Sequence, residues 1–223
     1  RYESLENKYD KFLAGNYDYK ANTYETNKIN LLSNPTSLYT KQPTVYYGLM
    51  YLAKNAKKEV KIHTPYIICN DYMYKELKNI KVPTTIMTNS AENNGNIFGA
   101  VDYLNHKKDI INTGVTIKEY EGGISYHGKS MTIDDDIAIV GSFNMDMRSA
   151  YIDTELMLVI NSKDINKQLK ASMEEYEKKA ATVKNETEYS HIPEGMKMKE
   201  LSDKKKNIKA WFGWAMNGLR FLF

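Results

Sequence analysis

Apolar and polar residues along this chain recur with two different periods, and the periods change places several times. Val45, Leu49, Leu52 and Ala53, with Ala56 beyond them, keep helical spacing, and Lys57 and Lys58 follow where a helix C-terminus favours cations. Residues 59–68 set Val60 and Ile62 against Lys61, the two-residue period of a strand. Asn70 or Asp71 can cap a helix running through residue 80. The pattern then predicts a short strand at 84–88, a loop dense in Asn and Gly at 90–95, a helix over 97–112 stopped by Gly114, and a strand over 115–120. Gly122 and Gly123 mark a turn. Three more strands are predicted at 127–133, 137–143 and 154–160, and a long charged helix from 164 to about 183. Residues 2–13 fit a helix ended by Gly15, and the rest of 1–40 reads as a connector. There is no internal repeat. The alternation argues for an α/β layered domain with helices packed on a sheet.

Composition narrows the class. The 223 residues are 42% hydrophobic and 26% charged, which suits one folded domain with a core and excludes a disordered chain. Apolar-rich runs reach about ten residues, short of the roughly 18–20 that cross a bilayer. The single cysteine, Cys69, excludes an intrachain disulfide framework and a Cys-based zinc site, and fits a reducing compartment. The first residue is Arg1, and a natural start upstream of it is expected.

The net charge of +3 is unevenly placed. Residues 197–223 hold seven Lys or Arg against Glu200 and Asp203, a net +5, so the remainder carries about −2. Ile208, Trp211, Phe212, Ala215, Leu219 and Leu222 keep helical spacing there, and Trp214, Phe221 and Phe223 widen the apolar face. Residues 191–223 therefore read as a basic amphipathic helix. It either lies on an anionic membrane surface or docks on the sheet or on a partner lobe. A nucleic-acid enzyme should carry its basic stripe near the site, so this distribution argues against nucleic acid as partner.

The chemistry concentrates between Tyr126 and Glu155. The chain reads His127-Gly-Lys129-Ser-Met-Thr-Ile-Asp134 and, six residues on, Gly141-Ser142-Phe143-Asn144. In a strand His127 and Lys129 share a face, and Asp134-Asp135-Asp136 is a turn signal. A turn centred on Asp135 and Asp136 sets His127 opposite Asn144 and Lys129 opposite Ser142, with opposed residues about 5 Å apart. A one-residue slip would scatter the four. Such a patch suits a phosphate diester. Lys129 meets the non-bridging oxygens, Ser142 and Asn144 add neutral donors, and histidine attacks phosphorus or protonates a leaving oxygen. No metal or other cofactor is required for that chemistry. A lone strand histidine is ordinarily structural. Six specified residue types at fixed spacing arise by chance on the order of once in tens of millions of start positions.

This pattern, His127-x-Lys129-x4-Asp134-x6-Gly141-Ser142-x-Asn144, resembles the HKD motif of the phospholipase D superfamily. The flanks Phe143-Asn144-Met145-Asp146, Arg148-Ser149-Ala150 and Asp153-Thr154-Glu155-Leu156 resemble bacterial cardiolipin synthases, nearest the cardiolipin synthase C type. Thr64-Pro65-Tyr66, Thr88-Asn89-Ser90 and Gly114-Val115 fall in the order found in the second lobe of those enzymes. The resemblance implies a phospholipase D-like lobe over 41–190, a mixed β-sheet flanked by helices. It implies two lobes sharing one site, in which one histidine forms a phosphohistidine and the other protonates the departing alcohol. A second alcohol, itself a phospholipid in cardiolipin synthases, or water then releases the phosphatidyl group. Glu155 sits where the family has an acidic residue that orients a histidine, commonly that of the opposite lobe. Asp134 matches the motif aspartate, read as support and not as the attacking group. Expected partners are phospholipids, an anionic membrane surface, and an N-terminal HKD lobe or a homodimer mate. The expected location is the bacterial membrane, peripheral and cytoplasm-facing.

Only one complete motif is present. His106-x-Lys108 starts like another, but position 113 is Thr and no Gly-Ser-x-Asn follows; His63 and His191 have no Lys two residues on. The chain thus holds half a site. It reads as the second lobe of a phosphatidyltransferase, inactive without the first. The alternatives are a single-motif homodimeric phosphodiesterase or nuclease, and a catalytically silent lobe with a binding role.

Overall fold

A run of short β-branched strands forms the centre of the fold. The computed structural model describes residues 18, 20–21, 23–37, 39–212, 218 and 220–222. The helix expected over 2–13, and Trp214, Ala215, Leu219, Phe223 and the side chain of Phe212 in the tail, lie outside the described residues. Strands β2 (Val60–His63), β4 (Thr84–Asn89) and β5 (Thr116–Tyr120) are parallel neighbours. Each parallel step needs a crossover, and helices α2 (Asp71–Lys78) and α3 (Ile97–Ile111) supply them. Asn70 caps α2 through Met73 N at 3.0 Å, and Asn96 caps α3 through Phe98 N and Gly99 N.

Antiparallel strands extend this centre on both sides. The nine strands run β1-β9-β7-β6-β2-β4-β5-β10-β11, with β1 at Lys28–Ser33, β6 at Ser130–Ile133, β7 at Ile137–Gly141, β9 at Leu156–Asn161, β10 at Ala180–Val183 and β11 at Tyr189–His191. Strands β3 (Ile67–Ile68) and β8 (Met145–Asp146) form a separate parallel pair. The architecture is the mixed sheet between helices that the sequence pattern and the resemblance imply.

Alternation assigns the two faces. Val60, Ile62, Ile86, Ile117, Met131, Ile139 and Met157 pack in one core with Val45, Leu49, Met50 and Ala53 of α1 (Thr44–Lys54) and with Met73 and Leu77 of α2. The opposite face carries Lys61, His63, Met87, Lys118 and Tyr120 and meets α5 (Lys163–Glu177). That face is part charged, which the sequence pattern does not announce.

Four elements differ from the sequence reading. The strand expected over 59–68 breaks after His63, because Pro65 has no N–H to pair. The helix expected to about 183 ends at Glu177, and Ala180–Val183 instead pair with the open edge of β5. Strand β1 lies inside the stretch read as connector and pairs with β9. In the tail the described helix is α6 (Asp203–Phe212), which packs on α3. Lys205, 7% exposed, donates to the carbonyls of Ala91, Glu92 and Asn94, and Arg220 pairs with Asp102 at 2.7 Å. This part of the tail docks on the domain, while Trp211 remains 77% exposed. No helix among the described residues is long and apolar enough to cross a membrane.

Candidate active site

Topology brings distant segments to one edge of the sheet. The carboxyl ends of β2 and β4 emerge there, and so do the start of antiparallel β6, the end of β7 and the start of β9. In open α/β sheets that edge is where ligands bind. It gathers Tyr66, Asn89, His127, Lys129, Ser142, Asn144 and Glu155 from five separate segments.

The hairpin does not pair as the sequence reading set it. Ile133 faces Ile137 and Ser130 faces Val140, so the turn centres on Asp135 alone and the register is one residue off. Lys129 is opposite Gly141, whose N–H donates to Lys129 O at 3.2 Å. The reason lies in the turn, where Asp134 takes a left-handed φ of 51° that closes the loop in three residues. Gly141 is fixed by the other neighbour, since a Cβ there would lie 2.1 Å from Leu156 O. The motif groups therefore meet because strand ends converge, and not as cross-strand partners.

His127 is exposed at the edge and held on both ring nitrogens. Lys129 Nζ lies 2.7 Å from Nδ1 and 2.9 Å from His127 O, and Tyr66 Oη lies 3.1 Å from Nε2. An ammonium only donates, so Nδ1 accepts and the proton of the neutral ring belongs on Nε2. Partial burial and then the Lys129 charge hold the imidazole below its ordinary pKa. Burial also lowers the Lys129 ammonium, against the pull of Glu155 and Asp146. The pair is short of negative charge, and an arriving phosphate would supply it.

Glu155 is buried and accepts from both Ser142 Oγ and Ser149 Oγ, the latter at 2.9 Å. Leu156 N donates to Ser142 Oγ at 3.0 Å, so that hydroxyl is tied into the start of β9. Asn144 N reaches Ser149 Oγ at 3.3 Å, while its Oδ1 is buried with no partner among the described residues. Asp134 sits at the far end of the hairpin, away from His127. Its carboxylate accepts from Lys57 N, Lys58 N and Glu59 N, and these bonds hold its pKa below the usual range although partial burial works against the charge. His106, the false start of a second motif, pairs with Asp109 on the surface of α3 at 3.1 Å.

The sequence reading assigned no role to Tyr66, Asn89, Ser149 or Asp146, although all four stand in the flanks that carry the resemblance. Asp146 caps α4 (Met147–Tyr151) through Ser149 N at 2.6 Å. Burial raises its carboxyl to about 6 despite the donors of Ser149. His63 and Glu177, behind the motif, gave no signal at all.

One mixed-sheet lobe with a His-x-Lys pair at its carboxyl edge defines a phospholipase D-type unit. The chain belongs to the family described as cardiolipin synthase, PLD-like domain, which matches residues 49–176, more than half its length. It is 30% identical over 159 residues to cardiolipin synthase 1 of Staphylococcus epidermidis, covering 70% of this chain and 32% of that protein. It is 31% identical over 129 residues to a cardiolipin synthase of Staphylococcus aureus, covering 56% and 26%. The chain thus spans about a third or less of the length of these relatives. Its fold is similar to that of phosphatidylserine synthase from Haemophilus influenzae (TM-score 0.62, 16% identity), covering 87% of this chain and 48% of that one. It is also similar to Nuc, a phospholipase D family member from Salmonella typhimurium (TM-score 0.56, 16% identity), covering 70% of this chain and 97% of that one.

Proposed function

We propose that this chain is the second catalytic lobe of a phosphatidyl-transferring enzyme of the cardiolipin synthase type. The observation that carries the reading is the His127–Lys129 pair at an open sheet edge, with a single motif to serve a reaction that needs two histidines. One histidine takes the phosphatidyl group from a phospholipid as a phosphohistidine and releases an alcohol. The other protonates that alcohol, then deprotonates the incoming one. As proton donor His127 must be the imidazolium, a form that the negative charge of a phosphate bound beside Lys129 would favour. Lys129 steadies the non-bridging oxygens, and Asn144 offers its side chain to the same group. Ser142 joins them only if its bond to Glu155 is exchanged. Glu155 contributes negative charge that keeps Lys129 cationic. Asp134 holds the hairpin and touches no substrate.

The substrates on this reading are two phospholipids at an anionic membrane face, reached peripherally from the cytoplasmic side. The second lobe on this reading includes β1 as well as residues 41–190, and 191–223 are its basic tail. The test is complementation. Phosphatidylglycerol vesicles are incubated with this chain, with a first lobe carrying its own motif, and with both. Cardiolipin is expected only from the mixture or from the joined protein. Equal turnover by this chain alone would contradict the reading.

A second reading has one observation in its favour: Nuc is covered over 97% of its length, so a lobe of this size matches nearly the whole of another chain. Here two copies of this chain would complete the site as a homodimeric phosphodiesterase. Sedimentation and a DNA cleavage assay decide it, and a monomer without cleavage would remove it.

A further inference from the structure

Behind the motif runs a line of buried side chains for which the transfer chemistry has no direct use. His63, the last residue of β2, is 1% exposed. Its Nε2 lies 3.2 Å from Glu177 Oε1 and its Nδ1 3.3 Å from Tyr126 Oη. Glu177, at the end of α5, also takes Lys118 Nζ at 2.5 Å and lies 3.8 Å from Lys61 Nζ. A carboxylate only accepts, so Nε2 carries the proton of a neutral His63 and Nδ1 accepts from the Tyr126 hydroxyl. Burial holds His63 below its ordinary pKa against the pull of Glu177, which keeps it in that neutral, two-sided form.

Tyr126 immediately precedes His127, and it is fixed from three sides. Asn89 clamps its backbone, accepting from Tyr126 N at 2.7 Å and donating to Tyr126 O at 2.9 Å. Its ring packs edge-on against Tyr176 at 4.8 Å and Tyr120 at 5.9 Å. Its hydroxyl would stand only 2.3 Å from a Cβ at position 128. The tip of Tyr126 therefore lies against the one residue between His127 and Lys129, and glycine there is what lets it approach. Moving that hydroxyl moves the backbone on which both motif side chains stand.

We infer that His63 is a positioning residue. By holding the Tyr126 hydroxyl from below, it sets the His127–Lys129 spacing and keeps His127 within reach of Tyr66. The role of that spacing in turnover rests on the reading of His127 as a reacting group; the positioning itself does not. Histidine suits the place because one neutral ring donates to a carboxylate and accepts from a phenol across opposite edges. Neither leucine nor phenylalanine does either.

The test follows His127 by NMR in the whole chain. Tyr126→Phe removes the hydroxyl and keeps the ring, and His63→Leu removes the acceptor. In both, the His127 titration midpoint is expected to rise toward about 6.5 as the Lys129 contact loosens, and its ring signals to broaden. His63→Asn, which keeps an acceptor toward Tyr126, should lie near wild type. Leu77→Ala destabilises the core away from the motif and should leave His127 unmoved. In the two-lobed enzyme Tyr126→Phe is expected to lower kcat about tenfold with KM within twofold. Unchanged His127 signals in Tyr126→Phe, or an equal change in Leu77→Ala, would overturn the inference. A two-lobed protein with no transferase turnover would contradict the proposed function while the NMR result still decided the positioning.

Discussion

At the scale of single residues, the charge around His127 is the feature that matters most. A cation 2.7 Å from Nδ1 disfavours the imidazolium, so removing it should make the ring easier to protonate. Lys129→Met is therefore expected to raise the His127 midpoint toward about 6.5, read from imidazole NMR signals between pH 4 and 8. Asp146 behaves in the opposite sense. Its folded pKa of about 6 lies above the unfolded value, so its contribution to stability is full in acid and is lost as pH rises through 6. Asp146→Asn keeps the helix cap and removes the charge. Relative to wild type it should gain about 2–3 kcal/mol between pH 4 and pH 8 in urea denaturation. A constant difference across that range would refute the buried-acid account. Glu177 is the counter-case, since His63 and Lys118 outweigh its burial and hold it at about 2. Its stabilisation is present above the unfolded value and fades only as pH falls from near 4 toward 2.

At the scale of elements, the hairpin of β6 and β7 depends on a residue remote from the chemistry. Asp134 ties the turn to the chain entering β2 through three backbone N–H groups, and its φ of 51° favours Asp or Asn over other side chains. Asp134→Ala should cost roughly 1–3 kcal/mol in denaturant unfolding while leaving the His127 titration in the folded chain unchanged. Asp134→Asn should lie between the two. A shift in His127 with no loss of stability would mean that Asp134 acts on the site and not on the turn.

The same hairpin marks where sequence reasoning stopped. Residue spacing identified the motif and the hairpin beneath it, but His127 and Lys129 stand just before β6 and Ser142 and Asn144 just after β7, outside the strands expected to carry them. It did not give the register, because three consecutive aspartates permit either of two turn centres. Parity then decides every cross-strand pair. The strand β10 was hidden for a related reason: Ala180 and Ala181 suit a helix as well as a strand, and only the vacant edge of β5 selects. His63 was set aside for want of a Lys two residues on, and the partners that give it a role stand 63 and 114 residues away. Local periodicity carries no trace of such contacts.

At the scale of the whole molecule, one PLD-like domain carries a single His-x-Lys pair at an open sheet edge. The docked tail packs on the helix that follows this edge. Lys205 binds three carbonyls of the loop after β4, the loop that also leads from Asn89. On the proposed function a second histidine must face His127 from another lobe. The most direct measurement is steady-state cardiolipin formation from phosphatidylglycerol vesicles by the two-lobed protein carrying His127→Gln, with its fold checked by circular dichroism. The account expects turnover to fall by about a thousandfold or more. Turnover within a few-fold of wild type would contradict it.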